Sequence, residues 1–86
     1  MWYVYILRSQ LDRKYYVGST NDLKRRVKEH CDGRCVATRN RRPVELEAYI
    51  AVRSERTARG LEEYFKSGSG IATLRRRILT SEALRA

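Results

Sequence analysis

Two phenols, a guanidinium, an imidazole and a carboxylate occupy positions of this sequence where an apolar side chain would serve packing better. Tyr5 and Tyr16 sit in two short tyrosine-rich runs, residues 2–8 and 15–19. Arg26 and His30 lie four apart in the segment that follows, and Glu62 falls in a later segment of apolar periodicity. A carboxylate attracts a divalent cation, a guanidinium neutralises phosphoryl oxygens, and a phenol or imidazole passes a proton. Gathered at one place, these groups have the means to hydrolyse a phosphodiester. Each also has a plainer reading. Paired tyrosines commonly pack across strands, and a lone histidine beside a core is commonly a hydrogen-bonded structural residue.

An α-helix advances about 100° per residue. Over residues 22–31 this puts Arg26 and His30 on the side of Leu23 and Val27, the face that a helix buries. Lys24, Arg25, Lys28 and Glu29 take the rest. Arg26 can meet this by lying at the edge of the stripe, its stem covered and its charge in water. Over the second helical segment, Ala58, Leu61 and Phe65 form one stripe with Glu62 inside it and Glu63 facing out. A carboxylate there is costly unless a cation or donor meets it. A salt bridge to Arg26 and a bound divalent metal are both open.

Positioning these groups takes a hairpin and two helices. Residues 2–8 read as a strand, 9–14 as a polar turn with Asp12, and 15–19 as the returning strand. A turn centred near residues 11–12 places Tyr5 opposite Gly18 and diagonal to Tyr16, about 7–8 Å away on the same sheet face. The bare Gly18 would let a ligand approach the backbone. Asn21 or Thr20 is the expected cap of the first helix, with Asp22 in its first turn. Residues 31–43 form a basic loop, and Pro43 opens a third strand in which Leu46, Ala48, Ile50 and Val52 share a face. Ser54 caps a second helix that runs to about Lys66 and stops at Gly68 and Gly70. A final helix over residues 71–79 aligns Ile71, Leu74 and Ile78. The order β-β-α-β-α-α predicts an α/β fold, a small three-stranded antiparallel sheet flanked by about three helices. Residues 1–80 form the expected domain and 81–86 a C-terminal tail.

Length and charge narrow the partners. Eighty-six residues suit one small domain, and 42% hydrophobic with 34% charged residues is a globular composition. Nineteen Lys and Arg against ten Asp and Glu leave +9, which selects polyanions, nucleic acid first. Lys24, Arg25, Lys28, Arg34, Arg39, Arg41, Arg42 and Lys66 are the expected contacts. No apolar run approaches the roughly 18 residues of a membrane span, so no membrane partner is expected. Arg8 interrupts the first apolar run too early for a signal peptide. Cys31 and Cys35, the only cysteines, suit reduced thiols in a cytoplasmic protein. With His30 they still fall short of the four ligands of a structural zinc site. Without a D-x-D pair or a carboxylate cluster, a two-metal site is not expected either.

The same residues carry a family resemblance. "YVY" at 3–5 and "YVG" at 16–18 resemble the paired motifs of the GIY-YIG endonuclease superfamily. That superfamily includes intron homing endonucleases, some restriction enzymes and the N-terminal nuclease domain of the bacterial excinuclease. Arg26, ten residues after Tyr16, and His30 four further on match its helix signature. "ARGLEEYFKSGSG" at 58–70 is similar to the A-x-x-x-E-x-x-x-K-S-G-S-G run of small stand-alone members, and aligns Glu62 with their metal-binding glutamate. Three departures stand out: Tyr3 in place of glycine, Ser19 where excinuclease-type members carry lysine, and no counterpart to a late asparagine.

The resemblance implies hydrolysis of DNA phosphodiesters with one divalent metal, Mg²⁺ or Mn²⁺, on Glu62, leaving 5′-phosphate and 3′-hydroxyl. No small-molecule cofactor is expected. Arg26 would stabilise the phosphoryl oxygens. Tyr5 or Tyr16 would be the general base; Tyr5 is preferred, with Tyr16 and His30 orienting it and the water. So short a chain has no room for a target-reading domain, which predicts weak specificity or a preference for DNA structure, with repair or recombination as the setting. The competing expectation is a nucleic-acid-binding module on the same fold that cuts weakly or not at all. A structural or protein-interaction domain would account for the fold but not for the inward-facing polar set.

Overall fold

A computed structural model describes residues 1–79; residue 80 and the expected tail over 81–86 lie outside the described residues. Strands β1 (Trp2–Ser9), β2 (Tyr15–Thr20) and β3 (Val44–Val52) form one antiparallel sheet in the order β2-β1-β3. Helix α1 (Leu23–Cys31) follows the hairpin. Helices α2 (Glu55–Lys66) and α3 (Gly68–Thr73) follow β3, and α3 runs on into a π-helical turn, Leu74–Ile78. The order is the predicted β-β-α-β-α-α.

Both faces of the central strand are covered, so Val4, Tyr5, Ile6 and Leu7 are all buried. Alternation sorts them. Val4 and Ile6 join Val17, Ala58, Phe65 and Leu74 in the main core, under α2 and the chain that follows it. Tyr5 and Leu7 face the other way, with Val44, Tyr16, Leu23 and Val27, under α1. One face of the sheet therefore supplies packing, and the other carries the phenols. The hairpin register is the expected one: Tyr5 pairs with Gly18, and Leu7 with Tyr16.

β3 departs from the sequence expectation. Ile6 pairs with Ala48 but Leu7 pairs with Leu46, so Glu47 is an extra residue and the strand is bulged there. A bulge inverts the alternation. Ala48, Ile50 and Val52 reach the main core, whereas Leu46 turns to the α1 side beside Tyr3 and Tyr49.

The helix ends also differ in detail. Asp22, expected in the first turn of α1, is its cap and accepts from the Arg25 amide; Thr20 instead accepts from the Asp22 amide. Ser54 caps α2 as expected, through the Thr57 amide. Ser67 closes α2 and opens α3, donating to the Tyr64 carbonyl and accepting from the Gly70 amide. Gly68 and Gly70 thus belong to the last helix rather than to a break before it. A Cβ at Gly70 would overlap the Tyr64 carbonyl, so this close turn needs glycine. Ile71, expected on the buried side, is exposed.

The basic loop is folded back onto the hairpin turn. Buried Ser9 donates to the Arg41 carbonyl (2.6 Å) and accepts from the amides of Leu11 and Asp12. The Arg41 guanidinium meets Asp12 at 3.0 Å, and the Gln10 amide donates to the Pro43 carbonyl. These bonds bring Cys35 and Thr38, both buried, into the interior beside α1.

Candidate active site

Tyr5 is the centre of a hydrogen-bonded cluster between the sheet and α1. Its hydroxyl lies 2.9 Å from His30 Nε2 and accepts from Arg26 Nε at 3.4 Å. His30 Nδ1 lies 2.6 Å from the Thr38 hydroxyl. The ring of Tyr16 completes the group, with its centroid 6.4 Å from that of Tyr5 and 5.2 Å from that of His30. The i, i+4 spacing of Arg26 and His30 on α1 aims both at the strand-borne phenol, as the helical wheel predicts. Tyr5 is 1% exposed and His30 fully buried, whereas the Arg26 side chain stays 38% exposed at the mouth. The space over Gly18 is not open to a ligand, contrary to the sequence expectation. The Tyr5 phenol fills it, and a Cβ at residue 18 would overlap its Oη and Cζ.

Burial sets the proton inventory. It pushes the Tyr5 phenol up to about 12, with Tyr16 and Cys35 adding to the rise and the Arg26 guanidinium opposing it. Burial likewise pushes His30 down to about 4, helped by the Arg26 charge and opposed by Glu29. At pH 7 the resting site therefore holds a neutral imidazole and a protonated phenol. Arg26, hydrogen-bonded to Tyr5 and paired with Glu29 at 3.2 Å, is held firmly charged.

Glu62 stands apart. The expectation of one shared face holds for Tyr5, Tyr16, Arg26 and His30, but α2 packs on the opposite face of the sheet. Glu62 comes to the β2 edge instead, where Oε1 accepts from the Ser19 hydroxyl at 2.6 Å and Oε2 meets Lys66 Nζ at 2.7 Å. Ser19 follows Gly18 directly, so this contact ties the carboxylate to the strand that carries Tyr16. The salt bridge to Arg26 weighed from the sequence is not formed: Arg26 pairs with Glu29 and Glu62 with Lys66. Burial alone would raise the Glu62 pKa, but the Lys66 and Ser19 hydrogen bonds and the Lys66 and Arg59 charges outweigh it and hold the carboxyl below its ordinary value. An ionised carboxylate with an incomplete shell suits a hard divalent cation that keeps most of its waters. Among the described residues, no group of three or more His, Cys, Asp or Glu could hold a metal.

The basic residues divide into three sets. Lys24, Arg34 and Arg39 are exposed or half-exposed and, among the described residues, carry no salt bridge. Arg25 is exposed, 4.0 Å from Asp22, and Lys28 pairs with Asp32 at 2.9 Å. Arg41, Arg42 and Lys66 are engaged within the protein, with Asp12, the Arg39 carbonyl and Glu62 respectively. A groove at the β2 edge, where Arg13, Lys14, Lys66 and Arg75 surround Tyr15, Tyr16 and Phe65, has no counterpart among the sequence expectations. Nor has Thr38, whose threonine-in-a-basic-loop context gives no periodic signal. Ser19 stood out in the sequence only as a departure from the lysine of related proteins. Thr73 bonds the Tyr64 hydroxyl and the Ser69 carbonyl.

Comparison with known proteins matches residues 1–75 to the GIY-YIG catalytic domain. The UPF0213 protein YazA of Bacillus subtilis is 42% identical over 65 residues, a match covering 74% of this chain and 65% of that protein. The UPF0213 protein CPE1444 of Clostridium perfringens is 43% identical over 68 residues, covering 77% of this chain and 71% of that one. The chain thus spans just under two thirds of the first relative's length. The solution NMR structure of the UPF0213 protein BH0048 of Bacillus halodurans superposes with a TM-score of 0.53 at 37% identity, over 86% of this chain and 82% of that one.

Proposed function

This chain belongs to the GIY-YIG family, and from that membership we propose that it is a metal-dependent endonuclease hydrolysing DNA phosphodiesters. The observation that carries the proposal is the Tyr5–His30–Arg26 cluster, a buried phenol and imidazole drawn together with a partly exposed guanidinium where apolar groups would pack at lower cost. Tyr5 is the general base, the phenol whose oxygen touches both α1 partners. Arg26, charged and half-open to solvent, takes the phosphoryl oxygens and offsets the charge that builds on them. His30 stays neutral and holds the phenol in place, and Tyr16 forms the wall on the β2 side. Glu62 would hold the divalent cation, Mg²⁺ or Mn²⁺, which supplies charge neutralisation for the leaving oxygen. Lys66, which shares the Glu62 carboxylate here, then becomes available to phosphate. The DNA backbone runs from Lys24, Arg34 and Arg39 across to the groove of Arg13, Lys14 and Arg75. These contacts position without reading sequence, so selection is weak or rests on DNA structure.

A second reading, a nucleic-acid-binding module that does not cut, draws support from the Lys66 ammonium on Glu62 and the high phenol pKa. One experiment separates them. Supercoiled plasmid and branched DNA are incubated with the protein in Mg²⁺, Mn²⁺ or EDTA. Nicking with either metal and none in EDTA supports the nuclease; DNA bound but uncut in all three supports the module.

A further inference from the structure

We propose that Thr38 is a positioning residue whose hydroxyl donates to His30 Nδ1 and so selects the tautomer in which Nε2–H donates to the Tyr5 oxygen. The inference rests on Tyr5 being the general base. Thr38 lies at the start of the short 3-10 turn Arg39–Arg41 and is fully buried. Among the described residues, its hydroxyl has one hydrogen-bond partner, His30 Nδ1 at 2.6 Å.

The hydrogen-bonded chain Thr38–His30–Tyr5 has two ends, and in either tautomer one terminal hydroxyl proton lacks a protein acceptor. At one end Thr38 is fully buried, where a hydroxyl donor left without an acceptor is costly. At the Tyr5 end the hydroxyl, though Tyr5 is itself buried, borders the partly exposed Arg26 and Tyr16, the side from which water or a substrate oxygen would come. The unshared proton therefore belongs to Tyr5, and Thr38 gives its own to Nδ1. In a neutral imidazole the ring proton is then on Nε2. His30 is faced by Tyr5 from β1, Tyr16 from β2, and Arg26 and Glu29 from α1, with Cys35 of the loop beside Tyr5 and Arg26. Of the charges among these, Arg26 disfavours the imidazolium and Glu29 favours it, and burial keeps the ring neutral. Two N–H donors, from His30 and Arg26, then converge on one phenol oxygen, which favours its ionised form. In the opposite tautomer the Tyr5 O–H would donate to the bare Nε2, which holds the phenol protonated. The basic loop thus contributes to proton chemistry as well as to charge.

The chain has one histidine, so its ring nitrogens can be read without ambiguity by long-range ¹H–¹⁵N correlation at pH 7. The expected spectrum of the unsubstituted protein shows Nε2 protonated and Nδ1 bare. Nδ1–H as the dominant tautomer would overturn the proposal. This readout needs no cleavage: the expected tautomer in a protein that never cuts DNA would refute the nuclease reading alone. Thr38→Ser should keep the Nε2–H pattern, whereas Thr38→Val should shift population to Nδ1–H. In cleavage assays, Thr38→Val should lose about tenfold at pH 7, the effect of one pKa unit on the phenolate fraction, and recover as pH rises. Thr38→Ser should follow the unsubstituted protein. A uniform loss at every pH with a lowered melting temperature would mean that Thr38 is only structural, against the proposal. Should Thr38→Val fail to fold, the spectrum of the unsubstituted protein decides.

Discussion

At the scale of single residues, the site depends on two groups whose burial opposes their charge. His30 is pushed from its ordinary 6.5 to about 4, so between those values the unfolded chain binds a proton that the folded one refuses. Stability is therefore intact above about pH 6.5 and falls as pH drops towards 4, by up to about 3 kcal/mol. Tyr5 works in the other direction. Its pKa is raised from 10.0 to about 12, so that stability is full below 10 and is lost as pH climbs through 12. Melting temperatures recorded from pH 4 to 8 should show the acidic loss, and His30→Gln should flatten it; an unchanged acid slope in that variant would assign the loss elsewhere. The same two values shape activity. With the Tyr5 phenol as the proposed base and the histidine already neutral, cleavage should keep rising with pH to at least 10, with no inflection near 6.5. A plateau at pH 7 would make His30 the base instead. Tyr5, Tyr16, Arg26 and His30 were legible in the sequence because strand alternation and the i, i+4 rule fix which way they point. Thr38 was not. It sits in a loop, where no period connects sequence position to burial.

At the scale of elements, glycine decides how closely two parts approach. Gly18 lets the Tyr5 phenol lie across β2, and Gly70 lets α3 turn against the last carbonyls of α2. These two should separate function from stability. Gly18→Ala meets the buried Tyr5 phenol itself, so its main effect should be to push that phenol from His30 and cut cleavage by about a hundredfold, the lower end of what a positioned proton-transfer group contributes. Gly70→Ala meets backbone away from the phenol. It should cost about 1–3 kcal/mol by overpacking and lower the melting temperature by about 4–8 °C for each. Equal losses of activity per degree of melting in both variants would contradict that division. The fold itself was readable as an order of elements from alternation, caps and the single wheel-like stripe of α2. The bulge at Glu47 was not, since an extra residue in a strand leaves the apolar pattern intact on paper and reverses it only once the register is set. That reversal sends Leu46 to the α1 side. Likewise, the wheel singled out Glu62 on α2, but only the sheet's topology shows that α2 lies on the far face, with Glu62 at the β2 edge.

For the whole molecule, +9 on 86 residues should make the proposed association with DNA chiefly electrostatic. Log affinity should fall linearly with log salt, with a slope of about −0.9 for each phosphate contacted on duplex DNA. Removing Lys24, Arg34 or Arg39 should each reduce that slope by about one contact, whereas Arg41, held against Asp12, should change melting more than slope. A salt-independent affinity would argue against a phosphate-led mode. The described residues include no helix long and apolar enough to cross a membrane. The central claim, that this scaffold cuts DNA with a cation held by Glu62, is tested most directly by Mg²⁺-dependent plasmid cleavage with Glu62→Gln beside Glu63→Gln. Glutamine can still accept from Ser19 but has lost the charge that attracts the metal. Losing an exposed-rim pair with Lys66 costs little stability, of order 0–1 kcal/mol. Cleavage by Glu62→Gln should fall by about two orders of magnitude or more, since metal stabilisation of a leaving oxygen is worth several kcal/mol. DNA binding should be kept or tightened, and Glu63→Gln, which faces away, should match the unsubstituted protein. Undiminished cleavage by Glu62→Gln would contradict the account.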